Sequence, residues 1–339
     1  MPASPDPGPT PPPAGTRADA PIVRRRGPGA LALQTVGALV GIGLAVWAVA
    51  LAFGGENADA IERLRDASAL AIAGLLGLTA LHITLNGVLF YVTLRPLEGA
   101  GRASVLRVVM INTIPTLLAV LPFKLGFVAR VGLHRRLDGL SFRTLGAWMG
   151  AFAVLTVATL APAGAIGLFA DGALWWALLV AAPMLGLGCV LIAARLAARS
   201  GPLRRLMLGS ERALADPRTL AANYAIRMVD IGVQGARFAL AASVVGITLE
   251  PQHAMLLGAS YFLVVAIAPA GALGVAEIVT AGVATSVGLD QQAFALVALV
   301  VSASHYLGAF LLSIPSAVVL RPDRVFARQP APSGPLPSG

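Results

Sequence analysis

Five polar residues inside one otherwise apolar stretch are the first that could do chemistry. Asn223, Arg227, Asp230, Gln234 and Arg237 follow one another at steps of four, three, four and three residues. At 3.6 residues per turn a helix sets all five on one face. Three of them ionise. In hydrocarbon each such group costs on the order of 2.5–3.5 kcal/mol on insertion scales, so this face must look at protein or water. Arg227 and Asp230 can pair within the helix. Arg237 has no carboxylate three or four positions away and needs a partner on another element, or an anion. The face reads either as an ion-paired seam between helices or as a polar stripe offered to an anion.

Two further places combine charge with a broken helix. Pro122 and Gly126 interrupt one apolar region, and Lys124 and Arg130 lie beside the interruption. Proline cannot continue a helix and glycine lets the chain turn. Unwound backbone with two cations suits a phosphate, although basic side chains also reach toward the interface as snorkels. The second place is Gly271-Ala272-Leu273-Gly274-Val275-Ala276-Glu277, where Glu277 is the one carboxylate in its apolar stretch. It can pair with Arg237 or Arg227, or take up a proton. His82 and Asn86 stand four apart, and Ser302 and His305 three apart, as candidate cavity residues. No acid, thiol and histidine spacing suits a metal. No nucleophile elbow, P-loop or dinucleotide fingerprint occurs. No cofactor is expected.

The elements that must position these residues follow from composition. Of 339 residues, 57% are apolar and only 12% charged, about half of what a soluble domain carries. That excludes an ordinary aqueous enzyme, a disordered chain and a nucleic-acid module, despite a net charge of +9. Of the 25 basic residues, 24 are Arg and one is Lys124. The lone Cys189 reads as a small buried apolar residue, and Trp175 with Trp176 as an outer interfacial belt. Residues 1–29 and 321–339 read as disordered cytoplasmic tails rich in Pro. Residues 30–320 form the membrane domain.

Spanning candidates of about 20 residues or more are 30–53, 67–94, 144–169, 174–197, 219–247 and 293–316. Basic blocks alternate with neutral or acidic loops, so both termini are expected inside, in the plasma membrane of a bacterium-like cell. On this assignment, region 104–121 starts and ends inside, and region 253–289 starts and ends outside. Each is then a re-entrant helical hairpin, tolerated only against protein or a wet cavity. The expected fold is an all-α polytopic membrane protein of about six spanning helices plus two re-entrant hairpins. Halves 67–169 and 219–316 share one order in opposite orientation. Such an inverted repeat places a site near the midplane.

The two broken elements resemble those of the transmembrane region of lysylphosphatidylglycerol synthases and stand-alone flippase-like membrane proteins. In that family the first element runs Pro, then Gly four, Glu five and Arg eight residues on. Pro122, Gly126 and Arg130 match, and Phe127 stands in place of the Glu. The second element is Pro-Gly-Gly-Leu-Gly-Val-x-Glu. Gly271, Leu273, Gly274, Val275 and Glu277 match, while Ala270 and Ala272 differ. The similarity covers about residues 30–320. It implies a role in moving lipid between leaflets. The aminoacyl-transferase activity of the larger synthases is not implied.

The resulting expectation is a translocator of an anionic phospholipid or polyprenyl-phosphate lipid. Lys124, Arg130, Arg227 and Arg237 would meet the phosphate. Pro122, Gly126, Gly271, Gly274, Glu277 and Asp230 would form the breaks and the coupling groups. His82, Asn86, Asn223, Gln234 and His305 would line the cavity. Two alternatives stand beside it. One is a lipid-modifying transferase working with Asp230 and Glu277, and the other a non-transporting partner of a separate lipid-modifying enzyme. Membrane lipids are the expected partners; nucleic acid is not.

Overall fold

A computed structural model describes Leu39 and residues 42–53, 58–98, 103–119, 125–169, 172–267 and 274–322. Lys124, Pro122 and Gly271, together with both tails, lie outside the described residues. Thirteen helices and no strand occur among the described residues. In chain order they are α1 (Ile42–Ala52), α2 (Ala58–Arg65), α3 (Ala69–Glu98), α4 (Val105–Leu118), α5 (Leu125–Leu137), α6 (Phe142–Phe169) and α7 (Gly172–Arg199). Then come α8 (Gly201–Leu206), α9 (Glu211–Leu214), α10 (Pro217–Val244), α11 (Pro251–Ile267), α12 (Val275–Ser286) and α13 (Gln291–Leu320).

Four helices, α3, α6, α7 and α13, are long and apolar enough to cross a membrane. With 28 residues α10 is as long as α6 and α7, but its ionised stripe sets it apart. The outermost is α7. It leaves Leu174, Trp176, Met184, Leu185 and Ile192 exposed, an apolar flank suited to lipid. The expected interfacial pair of tryptophans divides here. Trp176 is exposed, whereas Trp175 is buried against Leu160, Ala163 and Ile166 of α6. Cys189 is exposed rather than buried, because it falls on the outer side of α7. The loop expected before α3 contains α2, which turns Ile61 and Leu64 onto the core of the second half.

Two helix pairs form, but region 104–121 is not a hairpin by itself. Its described residues form the single helix α4, and its return arm is α5, because the antiparallel arm begins beyond the Pro122 break rather than within the apolar stretch. In the first, three contacts step outward along two antiparallel arms. Gly126 at the start of α5 lies against Pro115 of α4 and against Ala119, which caps the C-terminus of α4. Further on, Arg130 meets Asn112 at 2.8 Å, and Arg107 meets Asp138 at 3.3 Å at the mouth. A β-carbon at Gly126 would overlap the Pro115 carbonyl oxygen, so only glycine lets these arms come this close. The arms have 14 and 13 residues, about 20 Å each at 1.5 Å per residue, against a hydrocarbon core of about 30 Å. The second pair is α11 and α12, and Gly274 starts α12 at φ 81°, a conformation glycine adopts without strain.

The second half packs as the first does. Helix α3 lies on α4, α4 on α5, and α5 on α6; likewise α10 lies on α11, α11 on α12, and α12 on α13. Between halves, α4 packs on α13 and α11 on α6, while α3 packs directly on α10. This last pair runs antiparallel, since Gly74 meets Leu240 and His82 meets Asp230. Equivalent elements of the two halves thus follow one order of packing partners, with α3 and α10 in contact between them.

Candidate functional site

The polar stripe of α10 faces protein along its whole length. Asn223, Arg227, Asp230, Gln234 and Arg237 are all buried. Asp216 caps the helix by accepting from the backbone N–H of Arg218 and Thr219, which starts the stripe in register. Arg227 Nη1 donates to Asp230 Oδ2 at 2.8 Å, and its Nη2 to Thr156 Oγ1 of α6 at 3.2 Å. The other oxygen of Asp230 meets His82 Nδ1 of α3 at 2.6 Å. Arg237 Nη1 donates to Gln234 Oε1 at 2.5 Å, and its Nη2 to the Val301 carbonyl at 3.1 Å.

Gln234 Oε1 is taken by Arg237, and the Gln234 amide nitrogen lies 3.5 Å from His82 Nε2. His82 thus links the two arginines through Asp230 on one side and Gln234 on the other. With no carboxylate one turn away, Arg237 is satisfied by the Gln234 amide oxygen of its own helix and by the Val301 carbonyl and Ser304 hydroxyl of α13. Neither Arg227 nor Arg237 pairs with Glu277.

Beside this network lies a cavity of about 260 Å³. His82 and Asn86 of α3, Gly126, Phe127 and Arg130 of α5, and His305 of α13 reach it. Phe90, Phe152, Phe262 and Val265 add apolar wall. Among the described residues Arg130 is the one guanidinium lining it, and no carboxylate does. Its Nη2 donates to Asn112 Oδ1, and its guanidinium carbon stands 4.1 Å above the Phe90 ring. Trp148 fixes that ring from behind. Its indole N–H donates to the Phe90 carbonyl at 2.8 Å, and its ring meets Phe90 edge-on. Asn86 Oδ1 and His305 Nδ1 have no hydrogen-bond partner.

The expected site residues therefore separate into groups. Arg130, Gly126, His82, Asn86 and His305 meet at the cavity, while Arg227, Arg237, Asp230 and Gln234 stand behind it as the network that holds α10 to its neighbours. Asn223 is buried with neither side-chain polar atom bonded. Glu277 and Gly274 belong to the second helix pair. Ser302 Oγ donates to Glu277 Oε1, and Glu277 Oε2 has no partner. Residues not singled out in the sequence complete the site: Asn112, Phe90, Thr156 and Tyr261. An asparagine in the middle of a short apolar arm was a signal. Phe90, Thr156 and Tyr261 resemble their neighbours in type and stood out in no way.

Both helix pairs, the polar stripe and the two broken elements lie within one stretch of chain. Comparison with curated proteins and with solved structures returns no match. The family model described as the lysylphosphatidylglycerol synthase TM region matches residues 37–313, and the chain belongs to that family as a multi-pass integral membrane protein.

Proposed function

We propose that this protein is a lipid translocator that moves an anionic phospholipid or a polyprenyl-phosphate-linked lipid between leaflets. The observation that carries the proposal is Arg130: a guanidinium in a largely apolar cavity, positioned by Asn112 and Phe90, with no carboxylate lining that cavity among the described residues. Such a group offers two-pronged hydrogen bonding to a phosphate. A cavity of about 260 Å³ accommodates a headgroup and not acyl chains, which leaves the tails in lipid. The two helix pairs dip into the bilayer from opposite faces, each too short to cross it. The basic loop ends support a bacterium-like inner membrane with both termini on its cytoplasmic side. Membrane lipids are its partners, and Lys124 stands beside the same break as a further cation for the headgroup.

The transferase alternative needs a free carboxylate as general acid or base. Asp230 is committed on both oxygens, to Arg227 and to His82. That leaves no carboxylate to serve the cavity among the described residues, and favours transport. Purified protein in liposomes, with labelled anionic lipids and a zwitterionic control, tests the proposal. Exchange between leaflets is expected to exceed that in empty liposomes for an anionic headgroup. Equal rates across several headgroups overturn it.

A further inference from the structure

Counterpart helices of the two halves start 146 to 150 residues apart: α3 and α10, α4 and α11, α5 and α12, α6 and α13. Close contacts keep this register. Gly87 of α3 packs on Val109 of α4, and 148 residues later Gly235 of α10 packs on Met255 of α11. Phe127 and Arg130, third and sixth in α5, thus correspond to Glu277 and Thr280, third and sixth in α12. By the same register Pro115 corresponds to Tyr261, Met149 to Ala298, and Ala153 to Ser302.

The two sets are in different states. Pro115, Phe127, Arg130, Met149 and Ala153 line the open cavity, with Phe127 46% exposed. Their counterparts are sealed: Glu277 is 1% exposed, and Thr280 and Ala298 0%. Ser302 bonds Glu277, and the Tyr261 hydroxyl meets Ser302 Oγ at 2.7 Å, which closes α11, α12 and α13 on one another. Inside this seal Glu277 Oε2 and Thr280 Oγ1 have no partner. Buried polar atoms left unbonded are costly and call for a ligand or water in some state. Glu277, Ser302 and Tyr261 form one bonded chain, and Thr280 follows Glu277 by one turn of α12 with its hydroxyl unbonded.

We propose that Glu277, Thr280, Tyr261 and Ser302 form a second binding site, the counterpart of the Arg130 cavity. It is closed in this structure and takes a monovalent cation when access passes from the first half to the second. Inverted repeats exchange access by moving one repeat against the other, so closing the first cavity opens the second. The Gly274 N–H at the start of α12 lies near the Glu277 carboxylate and offsets part of its charge. Tyr261 of α11 and Tyr306 of α13 also face it, and Arg237 of α10 acts on Tyr261. The site thus holds opposite charge to its counterpart, a carboxylate where the first offers a guanidinium.

Cysteine chemistry tests this on the full chain in proteoliposomes, in a Cys189→Ser background. Phe127→Cys with Ala153→Cys places thiols at the counterparts of the bonded pair Glu277 and Ser302. Ala298→Cys is the reporter, and it leaves the four site residues intact. Oxidation is expected to join positions 127 and 153, and then to raise labelling of 298 by an impermeant thiol reagent about tenfold. Absence of the cross-link overturns the proposal, as does a cross-link with unchanged labelling. In the locked protein, sodium (against choline) is expected to slow labelling, and lower pH to slow it beyond the loss of thiolate common to any cysteine. Protection is scored after dividing by the rate of the unlocked protein at the same pH, and Glu277→Gln is expected to abolish it. The sodium and pH arms tell a metal ion from a proton. Protection by neither, or protection kept in Glu277→Gln, overturns the cation assignment. The site's purpose rests on the translocator reading, but labelling needs no transported lipid. Its failure is therefore distinct from absent leaflet exchange.

Discussion

Asn112→Asp changes the Arg130 cavity by one charge and almost no volume. Asn112 Oδ1 accepts from Arg130 Nη2 at 2.8 Å, so the new carboxylate would sit in hydrogen-bond contact with the guanidinium. Two unit charges at 4 Å interact by about 4 kcal/mol at an effective dielectric constant of 20. The open side of the cavity screens part of this, and a charge-assisted hydrogen bond contributes about 1.5–3 kcal/mol. A phosphate must then displace a built-in anion, at a cost of roughly ten- to hundred-fold in exchange rate or affinity. The substitution also removes the Asn112 Nδ2 donor to the Ile83 carbonyl, worth about 1 kcal/mol, so thermal stability is measured alongside. Arg130→Gln serves as the matched loss of charge. The assay is quenching of a fluorescent anionic lipid in the outer leaflet of proteoliposomes. Asn112→Asp and Arg130→Gln are expected to slow anionic exchange alike. Wild-type rates in a folded Asn112→Asp protein would refute Arg130 as the headgroup group.

Other substitutions probe the scaffold. Asp230→Asn leaves Arg227 fully buried without its anion, which costs about 3–5 kcal/mol, and a large fall in melting temperature in detergent is expected; Arg227→Met with Asp230→Leu should recover much of it. Gly126→Ala drives a methyl into the Pro115 carbonyl and should prevent the first hairpin from closing, whereas Gly150→Ala meets nothing within 4 Å and should leave stability unchanged. Trp148→Phe removes the donor to the Phe90 carbonyl and should cost about 1 kcal/mol, while loosening the ring under Arg130; thermal melts and exchange rates check both effects. At the start of α10, the Thr219 hydroxyl, with the Arg218 and Thr219 N–H groups, holds the Asp216 carboxyl below the usual carboxylate range. The cap's contribution is complete above that range and fades as pH falls through the lowered value. A melting series in acid should therefore show a loss that Asp216→Ala, already weakened at neutral pH, does not repeat.

Periodicity and charge, which are local properties, made much of this protein legible before any fold was known. The steps of the α10 stripe required one buried polar face, because ionised groups cannot face hydrocarbon. The Arg227 and Asp230 pair followed from their spacing alone. Two interrupted apolar regions, too short or too broken to span, marked where the helix pairs form, and their Gly and Glu residues carried the family resemblance. Other features depended on neighbours distant in the chain. No spacing rule could join His82 to Asp230, 148 residues away, or tell that α13 would supply acceptors to Arg237. Trp175 and Cys189 came out opposite to expectation because the side of α7 that meets α6 is decided by packing, not by composition.

The amino-acid order by itself determined a membrane-embedded helical chain, its two breaks and the face that must be hidden, since each follows from the cost of placing polar groups in hydrocarbon. Tertiary structure alone decided that Arg130 reaches a cavity while Arg227 and Arg237 stand behind it. It also decided that counterpart positions lie open in one half and sealed in the other. Burial and charge compensation are properties of what surrounds a side chain, and those surroundings come from helices far apart along the chain.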